Sequence, residues 1–63
     1  MKHILLVKNL KEPTQAEEIR RALADTRVDY EVDAKRGCVI ICGNQDMVFI
    51  ARKVLTDLGY IMM

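Results

Sequence analysis

Two short apolar runs, Ile4-Leu5-Leu6-Val7 and Cys38-Val39-Ile40-Ile41-Cys42, most constrain what this chain can become. Each is too short for a buried helix of about ten or more residues. Both are dominated by β-branched or leucine-type side chains and end at polar or glycine positions, the pattern of strands covered on both faces. The chain has 63 residues, so one small domain spanning 1–63 must be built around them. A domain of this size buries only ~60 % of the surface its unfolded chain exposes. Its stability margin is thin, and association with another surface often helps.

The remaining segments read as two helices, a wet strand and a closing strand. Ala16, Ile19, Ala22 and Leu23 recur at helical spacing, with Glu17, Glu18, Arg20 and Arg21 on the outer side. Thr14 stands three residues before Glu17, a capping-box spacing that predicts a helix start at Thr14 and an end near Asp25-Thr26. Val28, Tyr30 and Val32 alternate with Asp29, Glu31 and Asp33, which predicts a strand with one wet face. Lys35-Arg36-Gly37 is a tight turn leading into the second apolar run, so these two strands form a hairpin. Asn44 is a natural N-cap with Asp46 in the first turn behind it. Met47, Ile50, Ala51, Val54, Leu55 and Leu58 make one stripe, Gly59 is a natural helix stop, and Tyr60-Ile61-Met62-Met63 reads as a short closing strand. The resulting order, βαββαβ, predicts an α+β ferredoxin-like fold: a four-stranded antiparallel sheet with both helices on one face.

Several function classes recede at once. The net charge is +1, too small to argue for nucleic acid or an anionic membrane, and one Phe and two Tyr provide no base-stacking platform. No apolar run approaches the ~20 residues of a membrane span. The run after Met1-Lys2-His3 breaks at Lys8, short of a signal-peptide core, so it reads as the first strand of a cytoplasmic protein. Two cysteines make no disulfide framework and suit a reducing cytoplasm. No nucleophile–base pair, phosphate loop or zinc spacing is visible, and the chain is too small for an ordinary active-site cleft. The expectation is a protein that is not an enzyme and carries no cofactor.

The order and spacing of weak motifs over about fifty residues resemble the heavy-metal-associated (HMA) domain, found in copper chaperones, mercury-binding proteins and metal-pumping ATPases. The family pattern Val-x-Gly-Met-x-Cys-x-x-Cys, with an apolar residue four later, is matched in position by Val7, Asn9, Leu10, Glu12, Gln15 and Ile19. Val-x-Val-Asp before the hairpin is similar to Tyr30-Glu31-Val32-Asp33, and Gly-x-Val-x-Val to Gly37-Cys38-Val39-Ile40-Ile41. The closing pattern corresponds to Ile50, Val54, Gly59 and Tyr60. The resemblance implies the ferredoxin-like fold and a setting in metal homeostasis. The two metal-binding cysteines, however, are replaced by Glu12 and Gln15. A carboxylate and an amide are hard oxygen ligands and do not supply the soft thiolate pair that Cu(I) or Hg(II) prefers. No metal-binding residue carries over, and the chain reads as a degenerate member without the thiol site.

Other candidates are weaker. Cys38 and Cys42 share a strand face but lie ~13 Å apart at ~3.3 Å per residue, too far for one metal or a disulfide within one chain. A soft-metal site (Cu(I), Zn or Hg) using either across a dimer interface is the alternative to their packing as small apolar residues. His3 and Cys42 fall on opposite faces of the expected sheet. Met62 and Met63 could offer thioethers but stand at the chain end, and nothing in the sequence brings Glu12, Glu17 and Asp46 together. A small-molecule-sensing regulatory domain shares the βαββαβ order, but Asn9-Leu10-Lys11-Glu12-Pro13 does not fit the Gly-x-Leu turn of that class.

The strongest functional signal is strand parity. If Leu5, Val7, Val39 and Ile41 face the helices, then Ile4, Leu6, Cys38, Ile40 and Cys42 face the open side of the sheet and form an apolar patch, which points to an interface. Phe49, on the back of the second helix, could extend a contact surface. The leading reading is a non-enzymatic module that self-associates or binds a protein partner.

Overall fold

The computed structural model describes residues 2–63 and contains five regular elements: β1 (Lys2–Leu6), α1 (Pro13–Ala24), β2 (Asp29–Asp33), β3 (Cys38–Cys42) and α2 (Gln45–Asp57). β3 lies at the centre of a three-stranded antiparallel sheet in the order β1-β3-β2. The registers are unbroken, with Ile4 opposite Ile40 and Ile40 opposite Glu31. The class is α+β, as the element order predicts. The predicted four-stranded sheet is not formed. The closing segment 60–63 makes a single antiparallel bridge, Val7 with Met62. Lys8 donates its N–H to the Ile61 carbonyl at 2.7 Å, and Met63 donates to the Leu6 carbonyl at 2.9 Å. The physical reason lies in the register: Met63 stands opposite Leu6 at the end of β1, so residues 61–63 meet only Leu6, Val7 and Lys8 and none of them runs along Lys2–Leu5.

The first helix also starts differently from the sequence expectation. Glu12, not Thr14, is the N-cap, with extended dihedrals of φ −117° and ψ 149°. Proline restricts the residue before it to extended geometry and itself fits the first helical position, where its missing N–H costs nothing. Pro13 therefore opens the helix directly, and the extended residue is Glu12. The end at Ala24, with Asp25 as C-cap, agrees with the expected boundary. In α2 the Asn44 side chain accepts from the Met47 N–H at 3.1 Å, as its position suggests. The hairpin between β2 and β3 turns at Gly37, whose φ of +65° is the left-handed region and whose added Cβ would stand 3.2 Å from the Leu10 carbonyl oxygen.

The core sits between the sheet and the helices. Ile19 and Leu23 from α1, Val39 and Ile41 from β3, and Ala51 and Leu55 from α2 are fully buried, with Val7, Val28 and Val32 around them. The stripe on α2 is narrower than its periodicity suggests, since Ile50 and Leu58 are exposed. Tyr60 anchors the C-terminal segment: its ring joins the core, and its hydroxyl donates to Glu18 Oε1 at 2.9 Å.

Candidate interaction surface

The loop at the degenerate metal positions is occupied by its own hydrogen bonds. Gln15 Oε1 accepts from the backbone N–H groups of Lys11 and Glu12 at 2.8 and 2.9 Å, and Gln15 Nε2 donates to the Asn9 carbonyl at 3.0 Å. Gln15 thus spends its amide on closing the loop that leads into α1. Asn9 reaches the far end of the chain. Its Nδ2 donates to the Gly59 carbonyl at 3.2 Å, and its Oδ1 accepts from the Ile61 N–H at 2.9 Å. The loop therefore braces the C-terminal segment against β1. In the sequence Asn9 stands out only as a position of the family pattern, because no local pattern announces a partner fifty residues away.

The Tyr60–Glu18 contact forms the other half of this brace. Burial of the phenol, reinforced by the hydrogen bond to Glu18 and its negative charge, pushes Tyr60 up to about 12. It holds its proton far into alkaline solution, and with it the tie between α1 and the tail.

Strand parity is as the sequence predicts. Val39 and Ile41 point into the core, His3 and Leu5 are half-buried on the same side, and Ile4 and Leu6 are exposed on the other. On the open face three columns stand side by side. β1 contributes Lys2, Ile4 and Leu6, β3 contributes Cys42, Ile40 and Cys38, and β2 contributes Asp29, Glu31 and Asp33. Cys38 is buried within its own chain and adds little to the surface, whereas Ile40 and Cys42 are half-buried. Both cysteines are free thiols. Register places Cys42 opposite Lys2 and leaves His3 opposite Ile41, so His3 and Cys42 share no site.

The tail enlarges this face beyond the sequence expectation. Met62 packs against the core, so its neighbours Ile61 and Met63 alternate to the open side. Their exposures are 57 % and 75 %, beside 64 % for Ile4 and 46 % for Leu6. The centre of the apolar patch is therefore β1, not β3. The signal was present as simple alternation through 61–63, once the tail was known to lie beside β1. Phe49 is 70 % exposed on the outer side of α2, where it lines two shallow depressions and lies away from the open face.

Among the described residues no group of three or more His, Cys, Asp or Glu side chains could hold a metal ion, and no helix is long and apolar enough to cross a membrane. Glu12, Glu17 and Asp46 form no such cluster. No protein-family model, curated protein or solved structure matches this chain.

Proposed function

We propose that this chain is a non-enzymatic interaction module, a relative of heavy-metal-associated domains without the two metal-loop cysteines, that self-associates through the open face of its sheet. The observation that carries this reading is the continuity of four exposed apolar side chains, Ile4, Leu6, Ile61 and Met63, on two adjacent segments, with Ile40 beside them. A monomer of this kind ordinarily turns polar side chains to water there, and contiguous apolar surface marks a contact site.

Four strand positions at ~4.8 Å spacing give a footprint of a few hundred Å² per copy. That falls below the ~800 Å² per partner of a stable interface, so the dimer is weak and concentration-dependent. A twofold axis along β1 sets Ile4 and Leu6 against their own counterparts. The acidic column of Asp29, Glu31 and Asp33 then lies at the margins, where no carboxylate is buried unpaired.

The test is mass by light scattering across a micromolar concentration series. The expected outcome is a monomer–dimer equilibrium in the unaltered protein and a monomer in Ile4→Lys and Ile61→Lys, with unchanged circular dichroism. These sites are exposed, so folding stability should move by no more than about 0.5 kcal/mol. A monomer at all concentrations overturns the reading.

A further inference from the structure

The open face of the sheet carries charges that the proposed dimer leaves unused. Register sets its side chains in three rows: Lys2, Cys42 and Asp29; Ile4, Ile40 and Glu31; Leu6, Cys38 and Asp33. Each row runs from the β1 column, through a small or apolar side chain on β3, to a carboxylate on β2. Asp33 already serves its own hairpin. Its Oδ1 accepts from the Arg36 N–H at 3.2 Å, and its Oδ2 lies 3.8 Å from Arg36 Nε. Asp29 and Glu31 are exposed and make no ion pair among the described residues. Lys2 shares the row of Asp29, so Glu31 has no cation in its row. Successive carboxylates on one strand face stand ~6.7 Å apart, and the whole column is ~13 Å long. From the β1 column to the carboxylates is two strand spacings, ~10 Å.

We infer that the open face docks a basic amphipathic helix of a partner protein in competition with self-association, a use that rests on the reading of this face as a contact surface. A helix with its side chains is ~10–12 Å across, so one helix spans the face from the β1 column to the β2 column. Laid along the strands, it sets an apolar stripe on Ile4, Leu6, Ile40 and Met63. Basic residues three or four apart on its β2 flank recur every ~6 Å, close to the carboxylate spacing. A second copy of this chain does not match the acidic column. Along its three strands the open face carries Lys2 as its one cation among the described residues. A copy shifted toward β2 sets the carboxylates against Ile4 and Leu6, where they lose water without gaining a partner. Self-pairing therefore uses the β1 stripe alone, a few hundred Å² per copy, below what a stable dimer needs. The helix adds the β3 and β2 columns to the contact. It pairs Glu31 at a solvated rim, where charge sets specificity and association rate.

The probe is a fluorescent helix-forming peptide of about fourteen residues, long enough to cover the acidic column. Leucines stand at i, i+3, i+4 and i+7, and lysines at i+1, i+5 and i+8 along one flank. It is titrated into the unaltered protein, Glu31→Lys and Ile4→Lys, with anisotropy reading affinity and NMR reading the site. Saturable binding to the unaltered protein is expected, with shifted amides in β1, β3 and β2 and dissociation of the dimer as peptide is added. Glu31→Lys reverses the central charge at an exposed site and should weaken binding about fivefold, an effect that shrinks with added salt. The same variant should keep the monomer–dimer equilibrium, because Glu31 lies at the margin of that contact. Ile4→Lys should lose both. A peptide with glutamates in place of its lysines should bind about tenfold less tightly. Equal binding of the glutamate peptide, no effect of Glu31→Lys, or shifts confined to α2 would overturn the helix site. No binding at millimolar peptide would overturn it outright while leaving self-association standing. A protein that is a monomer throughout, yet binds the peptide with these dependences, overturns self-association and supports the helix site.

Discussion

The two edges of the sheet are treated in opposite ways. The β2 edge is guarded. It carries Asp29, Glu31 and Asp33 on its open side, and Arg20 from α1 donates to the Val32 carbonyl at 3.4 Å while held to Glu17 at 3.1 Å. Tyr30 ties the same strand to α1 through the Arg20 carbonyl at 3.1 Å. Charged side chains and an occupied carbonyl are the ordinary defences of an edge against unwanted pairing. The β1 edge has none of these along Ile4 and Leu5. Among the described residues it is met by segment 61–63 at its C-terminal end, and that segment is held by Asn9, Tyr60 and one bridge. The difference teaches how the two flanks of the sheet are secured: the β2 flank by its carboxylates and its ties to α1, the β1 flank by side-chain ties to a segment fifty residues away.

The comparison breaks most completely if the anchor of the tail is removed. Tyr60→Ala deletes a buried ring and its hydrogen bond to Glu18. The expected cost is about 3–5 kcal/mol, a large share of what a domain of this size possesses, read as a lower urea midpoint. The milder Tyr60→Phe keeps the ring and serves the next measurement.

Alkali attacks the same anchor reversibly. Tyr60 has a folded pKa of about 12 against about 10 when unfolded. The raised value means that the folded state retains a proton the unfolded state has lost. Stability from this group is complete below pH 10, falls as pH rises from 10 to 12, and is gone above that window. The loss is on the order of 2 kcal/mol, read as the difference between the unaltered protein and Tyr60→Phe over that range. Parallel curves would show that Tyr60 does not hold the tail in this way.

Asn9→Ala removes two side-chain hydrogen bonds that span the chain. At about 1 kcal/mol each, the expected cost is about 2 kcal/mol, with faster amide exchange at Ile61 and Met63 and little change in β2. Exchange that rises equally at both edges would mean that the brace is global. The smallest effect belongs to the guarded edge. Arg20→Met keeps much of the aliphatic stem and frees the Val32 carbonyl, costing about 0.5–1 kcal/mol. The carboxylates of β2 remain, so the amides of β1 should exchange as in the unaltered protein. Faster exchange at β1 would mean that the two flanks are coupled.

The apolar runs, the alternation of Val28–Asp33, the Asn44 cap and the stripe of α2 were all legible, because each is a local pattern with a period of 2 or 3.6. They determined the element order, the α+β class, the hairpin and the sorting of Ile4 and Leu6 to one face, Val39 and Ile41 to the other. The start of α1 was misplaced by two residues, since Thr14 and Glu12 both offer capping chemistry and Pro13 decides between them through a backbone restriction. The resemblance to the metal-binding pattern drew attention to Glu12 and Gln15 for the thiols they lack. What Gln15 does is visible only in three dimensions, where its amide meets Lys11, Glu12 and Asn9.

Tertiary structure alone decided how the chain closes. Tyr60-Ile61-Met62-Met63 has the composition of a strand and forms one bridge, because its register sets it beside Leu6, Val7 and Lys8, at the end of β1. A strand needs a neighbour along its length, and that neighbour's register is set by contacts fifty residues away, at Asn9 and Tyr60, not by the strand's own letters. The sequence by itself therefore determined which faces are apolar. Only the fold decided that the apolar face is centred on β1, where segment 61–63 joins it.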